Sequence, residues 1–244
     1  MTSTETSNVV ELRRYALRPG ARDTLIGLFD REFVEPQEAL GMRLLGQFRD
    51  LDDPDSFVWL RGFTDMESRR QALEDFYSGP TWKRHAAAAN ATMVDVDNVL
   101  LLRPFGERMD LEGARRVDPG SIAPGIGLLA ATICHLAPDA GVAFADHFRE
   151  DVRPRLEAAG LPPLATYTSE RSPNTFPALP VRADADVFVI LTMHASEAAH
   201  AACAAELSAA LNGAGGAVDR SRRWLARPPE ELRLTPTARS LLHA

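Results

Sequence analysis

The stretch from Gln47 to Arg103 limits the fold more than any other part of the chain. It switches between the period of two that marks a strand and the period near 3.6 that marks a helix, with turn residues at each change. Arg43 to Arg49 reads as a strand, the acidic run Asp50 to Asp55 as a turn, and Phe57 to Phe63 as the returning strand. Thr64 followed by Glu67 has capping-box spacing and opens a helix carrying Met66, Leu73 and Phe76. Gly79-Pro80 ends that helix, and Pro80 suits the first turn of a short one through Trp82, His85 and Ala89. Asn98 to Arg103 closes the series as a nearly continuous apolar strand.

Upstream, Val9 to Leu17 alternates, with Val10, Leu12 and Ala16 on one face and Glu11, Arg13 and Tyr15 on the other. Arg18-Pro19-Gly20 stops it, and Leu25, Leu28, Phe29 and Phe33 mark a helix ending near Pro36 or Gly41. The order is β-α-β-β-α-β. Met109 to Pro124 lacks periodicity and reads as a linker. The order then repeats, with strands at Leu128 to His135, Ala165 to Glu170 and Val187 to His194, and a closing strand at Glu231 to Thr235. A helix carries Phe144, Phe148 and Val152, a Pro-rich loop spans Ser172 to Pro180, and Ser196 caps an Ala-rich helix through Leu211.

The expected fold class is α+β, with two tandem ferredoxin-like (βαββαβ) domains packed sheet-to-sheet as an intrachain α/β barrel. The domains are expected at residues 9–106 and 126–244, with a linker at 107–125. A four-stranded antiparallel sheet carrying large apolar residues on both faces needs a cover, and two such sheets can cover each other.

At 244 residues the chain is long enough for two domains, and a formal net charge of −7 without a long basic run argues against a nucleic-acid partner. Cys134 and Cys203 have no metal or redox spacing and read as small buried apolar residues. The polar start MTSTETSN lacks the core of a signal peptide, and no apolar run approaches the roughly 20 residues of a membrane span. A cytoplasmic protein with no membrane partner is the expectation.

Several groups of residues resemble the NIPSNAP family of the dimeric α/β-barrel (ferredoxin-like) superfamily. They are Tyr15-x-Leu17-x-Pro19-Gly20, Gln47-Phe48-x-Asp50 through Phe57-Val58-Trp59 to Phe63, and Phe76-Tyr77-x-Gly79-Pro80-x-Trp82 with His85, Ala89-Asn90 and Asp97-Asn98. The resemblance runs from about Val9 to Phe105 and is looser beyond. It implies the barrel fold. It does not imply one chemistry, because that superfamily holds cofactor-free oxygenases, isomerases, cyclases and haem enzymes, so function rests on the site.

Assigning the polar strand faces to the lumen gathers Glu11, Arg13, Tyr15, Gln47, Arg49, Trp59, Arg61 and Phe63 there. A one-residue slip would reverse this. Aromatic walls with a few polar groups suit a small-molecule ligand, although the same charges could form cross-strand ion pairs at a solvated rim. The expected catalytic set is His85 as proton shuttle, Tyr15 as hydrogen-bond donor and Arg61 as anion holder. Trp59, Phe63, Glu11, Arg13, Gln47, Arg49 and Asn98 are expected to contact substrate. His135, His147, His194 and His200 lack metal-ligand spacing, with His147 and His200 expected on helix surfaces and His194 able to face the lumen.

The leading expectation is therefore an enzyme using acid–base chemistry on a small, partly hydrophobic metabolite without a tightly bound cofactor. It would be a monooxygenase, isomerase, cyclase or lyase. The alternatives are a non-catalytic binding or scaffold protein and a haem- or metal-dependent enzyme. A homo-oligomer is compatible with the fold's edges and helix faces.

Overall fold

The computed structural model describes residues 7–106, 109, 111, 113–120, 125–158, 160–201, 204, 205 and 221–244. The first half runs β1 (Val9–Leu17), α1 (Arg22–Glu32), α2 (Val34–Glu38), β2 (Arg43–Asp50), β3 (Ser56–Phe63), α3 (Met66–Ser78), α4 (Pro80–Asn90) and β4 (Met93–Pro104). The second runs β5 (Leu128–His135), α5 (Gly141–His147), a π-helical turn (Phe148–Val152), α6 (Arg153–Ala158), β6 (Ala165–Ser169), β7 (Val187–His194) and β8 (Glu230–Pro236).

The strands close into one barrel in the order β1-β3-β2-β8-β5-β7-β6-β4, with antiparallel pairing throughout. The first four strands lie as β4-β1-β3-β2, and the last four repeat that pattern in the same direction as β8-β5-β7-β6. Two short seams join the halves, one pairing Phe48 with Pro236 and the other Arg103 with Thr168. Closure leaves no free edge among the described strands, which removes the usual liability of an antiparallel sheet.

Which strand face points inward differs from the sequence expectation. Val10, Leu12, Phe48, Val58, Leu60, Leu100 and Leu102 fill the barrel with Leu129, Ile133, Val189, Leu191 and Leu234 from the other half. Glu11, Arg13, Tyr15, Gln47, Trp59, Arg61 and Phe63 alternate with these residues and so face the helices, not the lumen. The physical reason is one of partners. An eight-stranded barrel has an interior that side chains alone can fill, and this one brings apolar residues from both sheets. The helices offer polar groups that can neutralise a charge.

Local chemistry explains several boundaries. The cap of α3 is Asp65 rather than Thr64: Asp65 Oδ1 accepts from the Ser68 backbone N–H at 2.7 Å, and Ser68 Oγ accepts from the Asp65 N–H at 2.9 Å. This reciprocal pair replaces the expected Thr64–Glu67 box, since Asp is as strong a cap as Thr and lies one residue nearer the helix. Pro80 opens α4. Between Leu44 and Gly46 the β2–β3 register slips at a bulge, and a Cβ on Gly46 would stand 2.5 Å from the Phe48 ring. Strand β4 starts five residues earlier than expected, at Met93.

The connecting segment between the halves is anchored. Met109 and Leu111 pack against the barrel-interior cluster. Arg116 donates to Glu38 Oε1 at 2.7 Å and to the Leu44 and Arg239 carbonyls. Ser196 Oγ accepts from the Ala199 N–H at 3.2 Å, at the start of helical residues 197–201. The expected continuation of that helix to Leu211, its glycine break and Cys203 lie outside the described residues.

Since the lumen is an apolar core, Leu60→Ala is expected to lower unfolding free energy by about 2–5 kcal/mol. Urea unfolding followed by circular dichroism measures this. A loss within about 0.5 kcal/mol would mean a lumen open to water.

Candidate functional site

Barrel register sets polar residues in rows across the helix-side face of the first sheet. One row reads Leu101, Glu11, Arg61, Leu44, and the next Val99, Arg13, Trp59, Gln47. Helices α1 to α4 lie over these rows, and Arg69 of α3 reaches down to the first. The Glu11 carboxylate thereby accepts three guanidinium N–H groups: Arg13 Nη1 at 2.9 Å, Arg61 Nε at 2.7 Å and Arg69 Nε at 2.7 Å. All four side chains are fully shielded from solvent.

Aromatic rings complete the enclosure. Trp59 lies between two cations, with its ring 4.9 Å from Arg61 Cζ and 5.5 Å from Arg13 Cζ. Arg61 also approaches the Phe63 ring at 5.5 Å. The Tyr15 hydroxyl oxygen accepts from Arg13 Nε at 3.1 Å, which leaves the hydroxyl hydrogen available to a further acceptor. Arg61 Nη1 donates to Gln37 Oε1 at 3.0 Å, from α2.

One carboxylate faces three guanidiniums, so the cluster carries two uncompensated positive charges. Arginine cannot shed its proton to relieve this. Burial would raise the Glu11 carboxyl, but Arg61, Arg13 and Arg69 outweigh it and hold the group far below the usual carboxylate range. Burial pulls Arg69 below its usual value, with Glu11 opposing. Buried donors without an acceptor among the described residues include the Nη2 groups of Arg13, Arg61 and Arg69, Trp59 Nε1 and, in the adjoining row, Gln47 Nε2. Orphaned donors at a charged cluster are costly unless something else receives them.

A second polar group flanks this one beyond Gln47. Arg116 Nη1 donates to Gln47 Oε1 at 3.4 Å, and Arg239 pairs with Glu35 and the Asp30 carbonyl. Asp30 is buried, its Oδ1 has no donor among the described residues, and burial pushes its carboxyl up to about 6 against the opposing Arg239, Arg116 and Arg49.

The other expected site residues lie elsewhere. His85 sits on α4, 3.4 Å from Glu32 Oε2 and edge-on to Phe33; Phe29 and Phe33 stand between it and Trp59. Arg49 shares the helix-side face but pairs with Asp23 at 2.8 Å in a half-exposed position. Asn98 is on β4, opposite Arg14, outside the cluster. His147 and His200 are buried rather than on helix surfaces. His147 Nε2 lies 2.7 Å from Ser221 Oγ, and its Nδ1 is 2.9 Å from Asp151 Oδ2. His200 lies 3.0 Å from Glu231. His194 lies between Thr192 and the His200 ring, on the helix side of β7 rather than in the lumen. Among the described residues no group of three or more His, Cys, Asp or Glu side chains could hold a metal, and no helix is long and apolar enough to cross a membrane.

Three participants escaped the sequence reading, and each left a signal. Arg69 lies three residues after Met66 and four before Leu73, so it interrupts the apolar stripe of α3. Asp30 interrupts the stripe of α1 four residues after Ile26, and Gln37 follows Phe33 by four. A charge on the buried face of an amphipathic helix needs a buried partner.

The site and fold define a closed α/β barrel with a charged, aromatic-walled layer between the first sheet and its helices. Residues 10–106, from β1 to just past the end of β4, match the NIPSNAP family model. Among solved structures, a provisionally named monooxygenase of Fusobacterium nucleatum subsp. nucleatum is similar at TM-score 0.61 and 9% identity, covering 95% of this chain and 93% of that one. An anthrone oxidase-like protein is similar at TM-score 0.57 and 14% identity, covering 99% and 98%. A provisionally named monooxygenase of Lactobacillus acidophilus is similar at TM-score 0.54 and 9% identity, covering 94% of each chain. At these identities the likeness is one of fold. No curated protein matches the chain.

Glu11→Gln removes the carboxylate that three buried cations share, and a loss of about 3–5 kcal/mol is expected at neutral pH. Because the folded carboxyl is held low, its stabilising effect is complete above its ordinary value of 4.5 and fades as pH falls below that. Denaturant midpoints of the two proteins should therefore converge on acidification; a gap that is constant with pH would contradict the ion cluster.

Proposed function

We propose that the chain is an enzyme acting on a small, partly aromatic metabolite by proton-transfer chemistry, without a tightly bound cofactor. The reacting site is the helix-side layer of the NIPSNAP domain. The two halves, with their matching strand order, are read as tandem ferredoxin-like units, at 9–106 and 126–244, in which the second closes the barrel that makes the first rigid. One observation carries the functional reading: orphaned, cationic hydrogen-bond donors stand among aromatic rings and face a single carboxylate. Such a group stabilises negative charge on a bound molecule, as developing enolates and phenolates require.

In this scheme Arg61 and Arg13 hold the substrate's anionic oxygen, and the Tyr15 hydroxyl donates to it. Trp59 and Phe63 form the wall against its ring. Glu11 is too strongly held by arginines to accept a proton and instead orients them. The proton acceptor is assigned to Asp30, which adjoins the cluster through Arg239, Arg116 and Gln47 and whose buried carboxyl, short of a donor, is pushed up by burial to about 6. His85, the expected shuttle, is screened from Trp59 by two phenylalanine rings.

Anthrone is a suitable first test, being a carbon acid whose conjugate base is an aromatic oxyanion. Its oxidation consumes one O2 and yields anthraquinone and water. Oxygen uptake with anthrone and related hydroxyaromatics should be catalysed by the wild type. Tyr15→Phe should lower kcat by about tenfold to a hundredfold with little change in melting temperature. Asp30→Asn should abolish the acidic limb of the pH–rate profile, which in the wild type rises through about 6. Full activity in both variants would contradict the assignment.

The complete burial of the cluster favours a second reading, in which the layer is a structural ion network and the domain binds or scaffolds without reacting. Sustained absence of turnover across carbon acids would select it.

A further inference from the structure

A loop from the second half of the chain closes the arginine cluster. Between β6 and β7 it passes over the first half, where Phe176, Leu179 and Val181 pack against the aromatic core. The Phe176 ring stacks on Tyr77 at 5.9 Å and 22°. Thr175 Oγ1 donates to the Met66 carbonyl at 3.0 Å, at the first residue of α3. Asn174 goes further in: its Oδ1 accepts from Arg69 Nη1 at 3.0 Å. A neutral amide oxygen therefore occupies a position beside an arginine that lacks its share of negative charge.

An open cleft of about 340 Å³ lies alongside this contact. None of the four charged cluster residues lines it, and two of their neighbours do. Asn174 is one of its walls, and Leu101, the β4 partner of Glu11, is another. The cleft is large enough for a small aromatic acid.

Hydrogen-bond geometry identifies the chemistry of the missing partner. Nε and Nη2 share one edge of a guanidinium and together grip a carboxylate as a fork. Arg61 and Arg69 each give Glu11 only the Nε of that edge, because one carboxylate serves three arginines. The adjoining Nη2 of each is idle. The idle donors thus sit beside Glu11, in a cluster with two uncompensated positive charges and aromatic walls.

We infer that this cluster is the binding site for an aromatic carboxylate, which enters from the 340 Å³ cleft and displaces Asn174 from Arg69. The inference rests on the functional reading above and adds to it the substrate's charged group and its route. Asn174 and Thr175 act as a latch: both accept from Arg69 Nη1, at 3.0 and 3.5 Å, Thr175 also donates to the Met66 carbonyl, and the incoming carboxylate passes Asn174 to reach the idle Nη2 donors, bringing a full negative charge where the amide supplied only a dipole. The arginines are fixed by sheet and helix, so the element that must move is the loop, with its packed Phe176, Leu179 and Val181.

Calorimetric titration with benzoate, with benzamide as its neutral isostere, tests this on the intact chain. Wild type should bind benzoate and not benzamide. Asn174→Ala removes the competing acceptor and should tighten benzoate about threefold to tenfold, whereas a merely structural Asn174 would leave affinity unchanged or weaken it. Arg69→Gln, if it folds, should weaken benzoate at least about tenfold. Equal binding of benzamide, no benzoate binding up to about 10 mM, or an Asn174→Ala protein that binds no tighter would each overturn the proposal. Benzoate binding without turnover of any carbon acid would sink the enzymatic reading and leave the carboxylate site standing. Turnover that benzoate does not inhibit would sink the carboxylate site alone.

Discussion

Glu11 cannot neutralise three arginines, and the first half of the molecule is arranged around that imbalance. The carboxylate lies on the central part of the sheet between Leu101 and Arg61, and its partners come from β1, β3 and α3. A buried ion cluster of this kind contributes little net stability, because desolvation offsets most of the attraction. Its cost is instead consistent with a cluster kept for what it can bind. Trp59, held between two guanidiniums, extends the same logic, since an aromatic face is the next best partner for a cation that has no anion.

Barrel closure makes the imbalance tolerable. The lumen is sealed by apolar residues from both halves, and each β1 residue facing it fixes the next one towards the helices. The alternation that packs Val10 and Leu12 inward thus sets Glu11 and Arg13 outward, under α3. The second half also contributes beyond the sheet. Its β6–β7 loop covers the cluster, and the C-terminal Arg239 and the connecting Arg116 lock α1 and α2 over the flanking Gln47 and Asp30. The charged layer belongs to one half but is enclosed by both.

Much of the architecture was legible in the sequence, because strand and helix periods are local. Val9 to Leu17, Leu128 to His135 and Val187 to His194 are strands with the expected limits. The closed antiparallel barrel follows from two sheets that each need a cover. The direction of each face was not legible, because alternation defines two faces without saying which meets the helices. In a barrel with both faces buried, burial does not separate them. Residue type misled here, since charges suggested a wet lumen where the structure has a dry one.

The site was half legible for a similar reason. Glu11, Arg13, Tyr15, Trp59 and Arg61 share one face by alternation, and the structure brings them together. Arg69, Asp30 and Gln37 are distant in sequence and join only through tertiary packing, though each interrupts an apolar helix stripe. Asn174 left no such mark, because a loop residue's partners depend on a path that periodicity does not encode. His85 was singled out by chemical type, and its geometry places it against Glu32 and Phe33 instead.

The most direct measurement is a crystal structure of the protein soaked with benzoate. A carboxylate is expected within hydrogen-bond distance of the Arg61 and Arg69 Nη2 atoms, its ring against Trp59 or Phe63, and Asn174 withdrawn from Arg69. Benzoate bound elsewhere, with Asn174 still on Arg69 and the three arginines unchanged around Glu11, would contradict it.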